Sequence, residues 1–227
     1  MKIGIGGCSH SCTIYGNPWW YYLGEDLGAE IIPISSGASG NEKNLEKIKY
    51  VFDTNPDLDL FIYQITEPAR MVVGIETDNI NIKDYLNDNG GDPWVPYYTF
   101  FGYGNDERLT KRYGIKTDID EFFNNKIMTS DYNMKYKLFH TLMSIQYMAD
   151  LYGKKIIFFS WFFDLKKLAI DSNHTKTIEK MTILDGDVEK FIRDNQIPRL
   201  EDKSHLGSNS HKIIYNEFLK PQLKNKI

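Results

Sequence analysis

A hydroxyl becomes a useful nucleophile when a base stands ready to take its proton and a carboxylate fixes the tautomer of that base. The chain offers the three types at Ser9, His205 and Asp202. Ser9 lies in GGCSHS, a small-residue turn directly after an apolar run, and Asp202 and His205 stand three apart in EDKSHLGSNSHK. One turn of loop can therefore supply both base and orienting carboxylate. A serine in such a turn can also simply cap the helix that follows. The Asp-x-x-His spacing is cheap and recurs at Asp171 and His174 in DSNH. Position separates the two pairs: the Asp202 pair comes just before the closing helix, where a loop returns to the strand ends, whereas DSNH runs into a polar, lysine-containing segment. His10, beside Ser9, reads as a loop residue, because adjacent residues seldom aim side chains at each other. His140 falls inside a long helical stretch as a packed or solvated residue, and His211 as a stabiliser of the final loop and helix.

The elements that must position these groups alternate. Residues 2 to 7 (KIGIGG), 30 to 34 (EIIPI) and 58 to 65 (LDLFIYQI) are short apolar runs, separated by helical stretches at about 17 to 28 and 41 to 54. A fourth strand, 154 to 162 (KKIIFFSWF), follows a helix at about 133 to 152. Strands alternating with helices pair in parallel, because a parallel neighbour is reached only by a crossover. The turn after the first strand lies at a carboxyl end, where such sheets hold ligands, and the N–H groups opening the next helix favour developing negative charge there. Ile213, Ile214, Phe218 and Leu219 fall at helical spacing and close the chain. The 227 residues are expected to form one domain, interrupted at about 76 to 130 by an aromatic-rich insertion whose centre is NDNGGDPWVPYYTFFGYGNDE. That insertion reads equally as a lid or substrate wall and as plain packing onto the domain.

Composition narrows the functions. A net charge of -4 and a pI near 5.8 argue against general nucleic-acid binding. No apolar stretch of membrane-spanning length and no signal peptide is visible, so no membrane partner is expected and the location is taken as cytoplasmic. Cys8 and Cys12 are too few for a disulfide framework and lack the second ligand pair of a structural zinc site. Gly4, Gly6 and Gly7 fit a dinucleotide fingerprint poorly, since Ser9 occupies its third glycine position, and no P-loop pattern occurs.

The order of a serine block near the start, a glycine block in the second loop and Asp-x-x-His near the end resembles the SGNH, or GDSL-like, hydrolase superfamily. GGCSHS, SSGASGN and DKSHLGSNSH carry the likeness. The resemblance implies a three-layer α/β/α sandwich around a parallel sheet of about five strands in the flavodoxin-like order 2-1-3-4-5. It aligns Gly7, Cys8 and Ser9 with the family's glycine, acidic residue and nucleophile. Ser35 stands where the family often has asparagine, Gly37 matches an earlier glycine, and Gly40 aligns with the glycine whose N–H lines the oxyanion hole. By the resemblance Ser9 attacks a carbonyl, His205 acts as base and then acid, Asp202 orients it, and His211 is the later histidine of the block. Ser9 and Gly40 then offer N–H groups to the oxyanion. The family's asparagine after the third strand has no counterpart: FIYQITEPAR places Thr66 or Glu67 there, and the Thr66 hydroxyl is the donor of the two.

Three functions follow as expectations. The first is a serine-type esterase acting on a small or carbohydrate-linked ester, with no metal or cofactor. The second is an impaired SGNH-like module that binds a glycan or protein partner through the aromatic insertion. The third, a nucleotide-binding flavodoxin-like domain, has the strand order without the phosphate loop.

Overall fold

Isoleucine, leucine and aromatic side chains fill the short apolar runs, and a strand buried on both faces is where such a run is most stable. In the computed structural model, which describes residues 1–35, 40–68, 70–74, 97–101 and 131–227, these runs form one parallel sheet. Its strands are β1 (Lys2–Gly6), β2 (Glu30–Pro33), β3 (Leu60–Ile65), β6 (Lys155–Ser160) and β7 (Thr182–Asp187). Their order is β2-β1-β3-β6-β7, which counted within this sheet is 2-1-3-4-5. Each neighbouring pair is parallel.

Two apolar layers sandwich the sheet. On one face Ile3, Ile5, Ile62 and Phe159 meet α1 (Trp19–Leu27), α6 (Val188–Asp194) and the closing helix. On the other, Phe61, Tyr63, Ile65 and Phe158 meet α2 (Asn41–Thr54), α3 (Asp131–Leu151), α4 (Leu165–Asp171) and the single turn α5 (Thr175–Ile178). The alternation in KIGIG follows from this packing. Ile3 and Ile5 face the first layer, while a Cβ at Gly4 would come within 2.4 Å of Phe61 Cδ2 and one at Gly6 within 3.0 Å of Tyr63 Cδ2. The glycines make room for β3 aromatics.

The closing helix is continuous from Ser208 but not regular. Ser208–Ile213 (α7) passes through a π-helical stretch, Ile214–Leu219, into Lys220–Leu223. Pro221 lacks an N–H and its ring crowds the carbonyl four residues back, so a widened turn just before it removes the conflict.

Strand boundaries are tighter than the apolar runs imply. β3 begins at Leu60 rather than 58, and β6 ends at Ser160 because the next carbonyl, of Trp161, turns to accept from Glu189 N at 2.7 Å. The fifth strand was not visible as a run, since TILDGD is half polar and its pairing to β6 shifts register between Phe158 and Ser160. Part of the insertion is strand: β5 (Tyr97–Phe101) pairs antiparallel with β4 (Arg70–Gly74). The rest of the expected lid or wall, and Gly37 of the second block, lie outside the described residues. No helix among the described residues is long and apolar enough to cross a membrane.

Candidate active site

Strands β1, β3 and β6 are neighbours, so the segments leaving their carboxyl ends meet at one edge of the sheet. From β1 the chain passes Gly7 and Cys8 into a 3-10 turn, Ser9–Ser11. Gly7 is required here, because a Cβ would approach Gln64 Oε1 to 2.7 Å. Buried hydrogen bonds pin the turn on both sides of Ser9. Trp19 Nε1 donates to Ser11 Oγ at 2.9 Å, Ser11 Oγ donates to Gln64 Oε1 at 2.6 Å, and Gln64 Nε2 donates to Cys8 Sγ at 3.1 Å. Trp20 Nε1 holds the Ser11 carbonyl at 2.7 Å. Ser11, Gln64 and Cys8 are fully buried, whereas Ser9 itself stays half-exposed.

The second contributor is the loop between α6 and α7. Leu200 N donates to the His205 carbonyl at 2.9 Å, and Arg199, paired with Glu189, holds the Ser204 carbonyl at 2.9 Å. Within it Asp202 shapes the turn that carries its own partner. Its Oδ1 accepts from Ser204 N and from His205 N, each at 2.9 Å, and its Oδ2 meets His205 Nδ1 at 2.6 Å. The three-residue spacing is what lets one carboxylate do both. Lys203 takes the left-handed conformation, φ 57°, to close the turn.

The two contributors meet. With Nδ1–H directed at Asp202, Nε2 of His205 is the free acceptor, and it lies 3.1 Å from Ser9 Oγ. Ser9, His205 and Asp202, 196 residues apart at the long contact, are one hydrogen-bonded chain. The backbone N–H of His205, its imidazole and the Ser204 N–H hold the Asp202 carboxyl well below the usual carboxylate range.

Two solved structures share the architecture over nearly the whole chain. TesA superposes with a TM-score of 0.56 at 11% identity, covering 100% of both chains. The psychrotrophic esterase EstA from Pseudoalteromonas sp. does so with 0.55 at 11% identity, covering 99% of this chain and 97% of that one. The fold is that of the SGNH hydrolases. The acetyl xylan esterase AlAXEase shares it as well, at a TM-score of 0.52 and 10% identity over 100% of both chains. No protein-family model and no curated protein matches the chain.

The residues expected from the sequence to line an oxyanion hole lie after β1, ahead of α2 and after β3. Gly40 directly precedes α2, and its carbonyl accepts from Asn44 N at 3.3 Å and Asn44 Nδ2 at 3.0 Å. Thr66 follows β3 and is fully buried. Its N–H is taken by Asn41 Oδ1 at 2.9 Å, while its Oγ1 has no partner among the described residues. Neither Gly40 nor Thr66 bonds to Ser9 or His205 among the described residues. Ser35 Oγ is likewise buried without a partner there, and Glu67 is half-buried.

The remaining histidines divide as their positions suggest. His174 stacks on Phe139 at 4.3 Å in the second apolar layer, so DSNH has no part in this site. His140 is exposed beside Tyr136. His10 is buried and stacks on Trp161 at 4.6 Å. His211 is buried on the first turn of α7, and burial, with the charge of His205 second, lowers it to about 4. Cys8 and Cys12 are buried free thiols, and burial, ahead of the Cys8 charge, pushes Cys12 up to about 12. Among the described residues no cluster of His, Cys, Asp and Glu is arranged to hold a metal. Sequence reasoning passed over Tyr15, whose ring lies face to face with that of His205 at 3.9 Å.

Proposed function

We propose that the chain is a serine-type ester hydrolase, working as one domain on a small or carbohydrate-linked ester through Ser9, His205 and Asp202. The observation that carries this reading is the 3.1 Å contact between Ser9 Oγ and a His205 whose other nitrogen is already engaged by Asp202. Two of the structural neighbours are described as esterases, one of them an acetyl xylan esterase, which favours an acyl group carried on a sugar.

In this reading the Ser9 oxygen bonds to the ester carbonyl carbon while its proton passes to His205 Nε2, and the carbonyl π electrons move to oxygen. The N–H groups of Ser9 and Gly40 and the hydroxyl of Thr66 receive the resulting oxyanion. His205 returns its proton to the departing alkoxide, leaving Ser9 acylated. Water then attacks, with His205 again taking and giving a proton, and the free acid leaves. Asp202 remains ionised throughout, steadying the imidazolium.

Turnover of p-nitrophenyl acetate tests the proposal. Activity lost in both His205→Ala and Ser9→Ala supports it. Turnover that survives either change rejects this mechanism, and no turnover of any acetyl ester together with glycan binding that survives both changes would favour a binding module on the same fold.

A further inference from the structure

The Asp202–His205 pair has a weakness that its hydrogen bonds do not remove. The Asp202 side chain is 42% exposed and that of His205 19%, so water competes for the bond between them. Ser204 Oγ also reaches Nδ1, at 3.0 Å, but both contacts meet the ring at that one nitrogen, so the imidazole can still tilt about it, and a small tilt carries Nε2 away from Ser9. Something must hold the plane of the ring.

We infer that Tyr15 is a positioning residue for His205, its ring seating the imidazole so that Nε2 meets the Ser9 hydroxyl. This rests on the proposed nucleophile–base pairing of Ser9 and His205. The two rings are stacked with centroids 3.9 Å apart and planes 19° from parallel. Such a face contact resists pivoting, and the negative face of the phenol ring attracts the imidazolium that forms when His205 takes the proton. The ring, not the hydroxyl, makes the contact, since the Tyr15 hydroxyl has no hydrogen bond among the described residues.

The seat is itself anchored to the loop that it serves. Tyr15 ends a second 3-10 turn, Thr13–Tyr15, and the next two residues lock onto Ser208, the first residue of α7. Asn17 N donates to Ser208 Oγ at 2.8 Å, and Tyr22 Oη donates to the Ser208 carbonyl at 3.0 Å. Gly16 has φ 113° and lies so close that a Cβ would reach Ser208 Oγ at 2.4 Å. The segment after the Ser9 turn and the segment after His205 are thus joined at Ser208, which fixes the distance between the two rings.

The test uses the full chain and two readouts. In Tyr15→Leu, kcat for p-nitrophenyl acetate is expected to fall about tenfold, the scale of a lost cation–π and alignment contribution, with KM nearly unchanged. Tyr15→Phe keeps the ring and restores kcat. Independently of turnover, the carbon-bound ring protons of His205, assigned by comparison with His205→Asn, should be shifted upfield by the ring current in the parent and Tyr15→Phe, and not in Tyr15→Leu. A Tyr15→Leu protein that keeps both kcat and the shift overturns the inference. So does one that raises KM alone, which would make Tyr15 a substrate contact. An inactive parent that shows the shift, lost in Tyr15→Leu, would sink the hydrolase reading and leave the seat standing.

Discussion

Asn41 grips Thr66 by both backbone polar groups: its Nδ2 donates to the Thr66 carbonyl at 3.2 Å while its Oδ1 accepts from the Thr66 N–H at 2.9 Å. The same Oδ1 also accepts from Tyr63 Oη at 2.8 Å. The segment after β3 is therefore tied to the first residue of α2, directly beside Gly40. The clamp spends the Thr66 N–H and leaves Oγ1 as the donor that residue has to offer.

Thr66→Val separates catalysis from stability. It removes a hydroxyl with no partner among the described residues and keeps the shape. If that hydroxyl receives the oxyanion, kcat should drop on the order of a hundredfold, while the unfolding free energy stays equal or rises slightly. Unchanged kcat in a stable Thr66→Val protein would take Thr66 out of the oxyanion hole.

Asp202→Asn should spare the fold and disable the base. An amide oxygen can still accept from Ser204 N and His205 N, so the turn survives, but an NH2 facing Nδ1 selects the wrong imidazole tautomer. A kcat loss of about a thousandfold or more is expected, with the melting temperature little changed. The folded-state carboxyl titrates below its unfolded value, so the stability it adds is fully present above pH 3.8 and is lost as pH falls from there to the lower folded value. The acid limb of an activity profile should therefore not belong to Asp202.

His211 gives a pH dependence of the opposite origin. Buried and neutral in the fold, it titrates near 4 against 6.5 when free, so the unfolded chain takes up a proton first and stability falls as pH drops through that window. The gap corresponds to a loss on the order of 3 kcal/mol by pH 4. Chemical denaturation at pH 7 and pH 4.5 should show a smaller pH dependence in His211→Leu than in the parent. An identical pH dependence in both proteins would mean that the buried imidazole does not carry it.

What was legible in the sequence follows what each contact needs. β3 and β6 announce themselves because burial on both faces demands apolar runs, β1 and β2 show as shorter isoleucine pairs, and the Asp202–His205 spacing is fixed by a turn that a single carboxylate can close. β7 does not, because Asp185 and Asp187 interrupt the run on a strand at the sheet edge. Asn41 and Tyr15 lie outside what spacing can reveal, since the first acts on Thr66 across 25 residues and the second on His205 from the far end of the chain. Gly4 and Gly6, a poor fit to a dinucleotide fingerprint in one dimension, prove to be room for Phe61 and Tyr63 in three.

The most direct measurement is covalent. A fluorophosphonate probe reacts only with a serine whose proton is being drawn off, and peptide mapping locates the adduct. Labelling confined to Ser9, abolished in Ser9→Ala and strongly slowed in His205→Ala, is the expected result. Equal labelling of the parent and Ser9→Ala, or a folded parent that takes no label at all, would contradict an activated Ser9.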